Sequence, residues 1–552
     1  MDVAQFTSLS PSSLKAEDTA RRVKCDEAKP HCRRCQQGKR SCEGYPEGAP
    51  TAQEQTEQTA HTAVTLSVHL GSLGGLNLRE PTQLGPDPEL ERLRLLACTV
   101  LSQGRPGART EAETAFWSRL VPQLALSIPS VREAAAAFAA SYEQQMLKRC
   151  AGAAKFKALH QITAAIAKIR HDVIRLPHGP LPVLVACILL ACAETIQHRH
   201  TDALLHLRGA FSVMNSREWL AARPANSKAL LDDDLSCLFG KLDLQVITYA
   251  LANPAELQIP VAPGMEPDVV TFTPQQADRE LFRTLHACYS FATIAAQCKY
   301  RPRAASRDSL VLEQGRHIAG LTRWLSCYRQ YSKMDHEISP LNKLHGLVLQ
   351  AHCLSALIYI SNILEPFETA YDKFAPQFRQ LVGCVEQAMT VKPTEAEMPT
   401  FNAERGVIQP LFFTAIKFRD SVWRAKATSL LRKCGREGPW SGSVEGAAAE
   451  CVVRAEEATA SQIIANAASC VVSSSSSASQ PVFLPQDVPE QARVAGHSLF
   501  EIVDEDSSGE MSAVIEMSRC RDMHALLLDE SPEPDAKKHW LYWKETCRLS
   551  LA

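Results

Sequence analysis

The sequence lacks any long apolar run. Its longest, Leu181 to Ala193, has 13 residues, short of the roughly 20 needed to cross a bilayer and suited to a buried core helix. The opening MDVAQFTSLSPSSLK has no basic stretch followed by an apolar one, so no secretory signal is expected and the chain should stay inside the cell. It also lacks a charge bias: Lys plus Arg number 59 against 61 Asp plus Glu, net −2. Any nucleic-acid contact must therefore come from a local patch. The fingerprints GxxxxGK[ST], GxSxG and HExxH, and the Rossmann glycines, are missing, so an enzyme reading has no residue to rest on. Alternating β-type runs are nearly absent.

What the 552 residues do have is globular composition, 45% hydrophobic and 22% charged, enough for several domains' worth of core. Residues 1–20 and 46–88, rich in Ser, Pro, Gly, Thr and Gln, read as weakly ordered, the second as a flexible linker. From Glu89 the texture turns helical, with Leu90, Leu93, Leu96, Val100 and Leu101 at helical spacing. Ser130 and Glu133 are spaced as a capping box opening a helix through AAAAFAASYEQQ. Leu204, Leu207, Phe211 and Met214 form one helical stripe expected to pack on the 181–193 segment as a helical hairpin. Long helical segments follow near 275–299, 308–331, 341–365, 404–433 and 445–470. The fold class expected over 89–552 is all-α, an array of roughly fifteen helices. A Ser-rich insertion near 471–490, with five serines from Ser473 to Ser477, interrupts it.

Four of the nineteen cysteines crowd into RRVKCDEAKPHCRRCQQGKRSCEGY, residues 21–45, spaced Cys25-x6-Cys32-x2-Cys35-x6-Cys42. The other fifteen are scattered without a CxxC and read mostly as thiols, as small core residues. Thiolate sulfur suits Zn2+, and a CxxC turn can present two sulfurs to one tetrahedral ion. Loops this short build no core of their own, so the metal would supply the folding energy. Eight basic residues against three acidic give the segment a net +5, which leaves −7 for the rest of the chain.

These residues resemble the fungal Zn(II)2Cys6 binuclear zinc-cluster transcription factors. In that family, six cysteines spaced C-x2-C-x6-C, a loop with a proline, then C-x2-C-x6-to-8-C hold two zinc ions, the first and fourth bridging both. The resemblance places Cys25, Cys32, Cys35 and Cys42 on the third to sixth ligands and Pro30 on the loop proline. It makes Arg22 the base reader in the major groove and puts Arg21 and Lys24 on phosphates of double-stranded DNA, at CGG-type sites. The first two ligands would fall on Lys15 and Asp18, neither a thiolate. Two readings stay open: the segment before Arg21 replaces the true one, or the protein has lost DNA binding or holds a single zinc. SIPSVREAAAAFAASYE, DALLHLRGAFSVMN and LLDDDLSCLFGKLDLQ resemble the helical fungal-specific transcription factor domain that follows the cluster in many members.

The resemblance implies a nuclear transcriptional regulator of the RNA polymerase II type, working with the transcription machinery or co-regulators, no membrane and no catalysis. The alternative is a helical protein-interaction regulator without DNA binding. His198, His200 and His206 are expected as exposed loop and helix residues rather than a metal site. FEIVDEDSSGE, with five acidic residues, is expected as a solvated helix end or loop, with an activation-type contact as the alternative. Trp540, Tyr542 and Trp543 are expected in a terminal helix capping the core. No sustained a/d heptad follows Cys42 to act as a dimerisation helix.

Overall fold

A computed structural model describes residues 111–145, 153–175, 179–216, 231–250, 273–334, 339–390, 401–403, 406–468, 483–504, 511–529, 531 and 536–549. The chain divides into two units, Met1–Thr82 and Gln83–Ala552, and every described residue lies in the second. The expected segments at 1–20, 21–45 and 46–88, the leucine periodicity from Leu90 to Leu101 and the serine run from Ser473 to Ser477 lie outside the described residues.

In chain order the described elements begin with α1 (Glu111–Ala115), a π-helical turn Phe116–Leu120, α2 (Val121–Ser127), α3 (Pro129–Gln145), α4 (Ala153–Arg175), α5 (Leu181–Ile196), α6 (His200–Met214) and α7 (Leu231–Ala250). Then come α8 (Pro274–Ala295), α9 (Arg307–Met334), α10 (Pro340–Asn362), α11 (Ala375–Thr390), β1 (Phe401–Asn402), α12 (Ile408–Lys417) and α13 (Ser421–Arg432). The chain closes with β2 (Arg436–Glu437), β3 (Trp440–Ser441), α14 (Gly442–Ala468), β4 (Gly496–Asp504), β5 (Met511–Cys520), α15 (Met523–Leu528), α16 (Ala536–His539) and β6 (Trp540–Leu549). The fold is all-α in class, with two small sheets set into it.

Two hydrophobic cores divide the helices. The first gathers α2 to α6 around Trp117, Phe138, Leu184 and Phe211. Ala134 to Ala137 on α3 are fully buried, and side chains that small let α4 and α5 approach closely. α5, the apolar run of the sequence, is buried from Pro182 to Ile196 and pairs with α6 as the expected hairpin. On α6, Phe211 and Met214 are buried, while Leu204 and Leu207 are only half-buried. The second core gathers α8 to α14 and the inner face of the β4–β6 sheet. α7 joins the two: Leu238, Phe239 and Leu242 belong to the first core, Leu244 and Ile247 to the second. Within α10, the stretch Asn342–Asn362 is long and apolar enough to cross a membrane, but 72% of its most apolar window is buried in the second core.

Three sequence expectations are corrected. The first is the capping box: Pro129 is already helical, so Ser130 sits inside α3 and its buried hydroxyl has no hydrogen-bond partner among the described residues, while Glu133 pairs with Lys168 at 2.5 Å. The capping box that does form is Thr273–Gln276 at α8, with Thr273 Oγ1 accepting from the Gln276 N–H at 3.2 Å and Gln276 Oε1 from the Thr273 N–H at 2.8 Å. Second, the 404–433 segment is two helices, broken at Phe418 to Asp420, where the Asp420 carboxylate caps α13.

Third, neither the acidic segment nor the C-terminal aromatic stretch is helical or loop throughout. Glu501 to Asp504 pair with β5 as strand, after a register shift between Leu499 and Glu501, and Trp540 to Leu549 pair with its other edge from Cys520 back to Met511. Period-2 burial explains it: Ala513, Ile515 and Met517 point into the core, and along β6 Leu541, Trp543 and Cys547 face inward while Tyr542, Lys544 and Arg548 face out. A disulfide joins Cys451 on α14 to Cys547 on β6, and ten other cysteines among the described residues are free thiols, seven of them buried.

Two of the glycines show why no side chain is placed there. Gly438, at φ +54°, opens the two-residue loop between β2 and β3, where an L side chain would be strained. Gly346 lies so close to Tyr328 that an added Cβ would overlap its ring.

Candidate zinc-cluster site

The sequence-selected residues Cys25, Cys32, Cys35, Cys42, Arg21, Arg22 and Lys24 lie outside the described residues. Their donor chemistry is nevertheless fixed by the sequence: four thiols, with an ammonium at Lys15 and a carboxylate at Asp18 where a six-thiolate cluster needs two more sulfurs. That set does not fit two zinc ions, because one absent sulfur is a bridge that both ions share.

Among the described residues, no group of three or more His, Cys, Asp or Glu could hold a metal. The three histidines are half-buried, not exposed as expected, and do not converge. Arg436 donates to the Thr195 carbonyl at 2.6 Å and, through Nη2, to the His198 ring at 3.0 Å. Burial, then Arg436 and His200, push the His198 pKa far down, to about 2; burial and Arg436 push His200 down to about 4. Both rings are neutral at physiological pH, and His198 accepts. His206 instead faces Glu194, 3.8 Å away.

Sequence reasoning missed a buried ionic network at the centre of the second core. Glu368, at the start of the 3-10 segment Glu368–Phe374, accepts from Lys417 at 2.7 Å, Lys299 at 3.2 Å and Arg419 at 3.2 Å. Arg419 also reaches Glu456 at 3.0 Å, and Arg424 completes the Glu456 pair. The backbone N–H of Val494 donates to Glu456 at 2.7 Å. Burial alone would raise both carboxyl groups, but the surrounding cations reverse this, holding Glu368 well below the carboxylate range and Glu456 at about 2. A fork from Arg493 to Asp372, 2.7 Å at each contact, ties the 483–495 stretch to the same place. The residues come from positions 299 to 494 with no common spacing; the one local sign was Arg419-Asp420 inside the apolar stretch LFFTAIKFRD.

Residues 19–51 match the family model described as the fungal Zn(2)-Cys(6) binuclear cluster domain. The chain carries a fungal zinc-cluster segment. The matched residues begin one past Asp18, so they include all four cysteines and neither substituted ligand position. Zinc is the cofactor of the domain that this family model describes, which in its complete form binds two ions. A curated protein of Emericella nidulans, the aspercryptin biosynthesis cluster-specific transcription regulator atnN, is 26% identical over 245 residues, covering 41% of this chain. The chain spans only 38% of that relative's length. The similarity is far longer than the 19–51 segment, so it reaches beyond the cluster. No solved structure matches the chain.

Proposed function

We propose that this zinc-cluster chain is a fungal nuclear transcriptional regulator, not an enzyme, whose residues 21–45 contact DNA and whose helical part from residue 89 is the regulatory region. The observation that carries the reading is the cluster match over 19–51 on a segment with net charge +5 in an otherwise acidic chain. Arg22 is the base reader, its guanidinium fork suited to guanine, and Arg21 and Lys24 bind phosphate. With four thiolates, Cys25, Cys32, Cys35 and Cys42 hold about one zinc per chain rather than two.

Metal analysis of the purified, reduced full chain tests the site: about one zinc is expected, and Cys35→Ser should lose it. No zinc, or full retention in the variant, refutes the assignment. On CGG-type DNA, Arg22→Ala should cost about 1–3 kcal/mol and relax base preference, whereas Lys24→Ala should weaken binding to all sequences and flatten the salt slope. A second reading, a helical interaction regulator without DNA binding, is favoured by Lys15 and Asp18 at the first two ligand positions. It is the outcome if the zinc-loaded chain binds CGG-type and random duplexes equally weakly. Nuclear entry follows from Arg21-Arg22-Val23-Lys24 and Lys39-Arg40; a fluorescent fusion of residues 1–88 should concentrate in nuclei more than 89–552.

A further inference from the structure

Between the 3-10 turn Ala296–Cys298 and the start of α9, residues 299–306 form a turn-rich loop pinned at both ends. Lys299 pairs with the buried Glu368 at 3.2 Å, and Arg307 donates to the carbonyls of Cys298 and Leu364 at 3.1 and 2.9 Å. Between those anchors Arg301, Pro302, Arg303, Ala305 and Ser306 are all exposed. Two turn bonds span the stretch, from the Ala304 N–H to the Arg301 carbonyl at 3.2 Å and from the Arg307 N–H to the Ala304 carbonyl at 2.9 Å. The Ser306 hydroxyl meets Cys298 Sγ at 3.6 Å, a weak contact that costs little to give up.

Arg301 and Arg303 stand five and three residues before Ser306. A protein kinase that selects its substrates by charge holds the segment before the serine extended, and its acidic side chains take guanidinium groups at those two positions through charge-assisted bonds. Pro302 already disfavours a helical Arg301. Spacing alone does not single out Ser306, because Ser326, also exposed, follows Arg323 by the same three residues. Ser326 lies well inside α9, however, with its hydroxyl donating to the Thr322 carbonyl at 2.9 Å. Extending its neighbours would break a run of helical hydrogen bonds in an element packed into the second core. Opening the 301–306 turn breaks two.

We propose that Ser306 is a phosphorylation site for an arginine-directed protein kinase. The Ser306 hydroxyl oxygen attacks the γ-phosphorus of ATP held by the kinase, the bond from that phosphorus to the β,γ-bridging oxygen breaks, ADP leaves, and the hydroxyl proton passes to the catalytic carboxylate of the kinase. The phosphate brings a charge of about −1.5 to −2 at neutral pH. That charge offsets Arg301 and Arg303, so the modification turns an exposed basic turn into a near-neutral one.

The test is incubation of the full chain with magnesium, ATP and the catalytic domain of protein kinase B, with the modified residues mapped by peptide mass spectrometry. Phosphate is expected on Ser306 and not on Ser326. Arg303→Ala should slow incorporation at Ser306 at least about tenfold, since its charge-assisted bonds to the kinase are lost. Arg301→Ala, in the same exposed turn, should slow it in the same direction and gives a second reading should the first variant fail to fold. An unmodified Ser306, phosphate on Ser326 at a comparable rate, or incorporation at Ser306 unchanged in both arginine variants overturns the proposal.

Discussion

The first core is held by shape and the second by pairing. α5 buries every residue from Pro182 to Ile196 with Glu194 the one charged group among them, and α3 lays four fully buried alanines beside it. The second core surrounds Arg419, Arg424, Glu368 and Glu456, each at most 1% exposed. Apolar burial accumulates one methylene at a time, so damage to it is graded. Removing one member of a buried ionic network leaves its partners charged and desolvated, a penalty larger than the net worth of the pair itself.

The largest effect expected follows from that difference. Glu456→Ala strands Arg419 and Arg424 and removes the acceptor for the Val494 N–H, and should cost about 3–5 kcal/mol in denaturant unfolding. Leu184→Ala, in the fully buried centre of α5, should cost about 2–5 kcal/mol, because apolar burial is given up and a cavity remains. The two losses separate with pH. The Glu456 carboxyl titrates near its ordinary 4.5 in the unfolded chain and at about 2 in the folded one. Its contribution is present above 4.5 and lost as pH falls towards 2. The Glu456→Ala penalty should therefore shrink across that window while the Leu184→Ala penalty stays level; parallel pH profiles would show that the second core does not depend on the pairing.

A smaller effect appears at milder acidity. His200, where the α5–α6 hairpin meets Arg436, and His497, on β4, are both lowered from 6.5 to about 4 by burial first and a nearby cation second. Each favours folding above pH 6.5 and loses that contribution as pH falls towards 4. Both side chains keep some exposure, which trims the effect to about 1 kcal/mol each. His497→Gln should flatten the stability profile between pH 6.5 and 4, and an unchanged slope would remove His497 from the account.

How much of this was legible follows the same division. The first core was readable because apolar residues at helical spacing need no partner to be recognised: the 181–193 run and the Leu204–Met214 stripe predicted the hairpin. The charge network was not, since Lys299, Glu368, Lys417, Arg419 and Glu456 carry no shared spacing and meet only after folding. The β4–β6 sheet was legible in principle. Ala513, Ile515 and Met517 alternate with polar or half-buried neighbours, but the aromatic stretch of β6 also satisfies a helical pattern, and strand pairing decided it. For the cluster the sequence said most, because ligand spacing is itself the signal, and the family match over 19–51 covers the same residues.

The smallest effect belongs to ion pairs outside both cores. Arg432 Nε and Nη2 meet Glu450 at 2.8 and 2.6 Å, a bidentate fork between α13 and α14 that looks as well made as those within. Its side chains are 32% and 38% exposed, however, so water competes for both groups and salt screens their attraction. Nothing is stranded when one partner goes, because the other returns to solvent. Arg432→Ala should cost no more than about 1 kcal/mol, and the loss should fade at high salt. The Glu456→Ala loss should persist in the same salt, since ions do not reach a carboxylate that is 0% exposed. A salt-insensitive Arg432→Ala loss as large as that of Glu456→Ala would mean that geometry, not burial, sets the strength of these pairs.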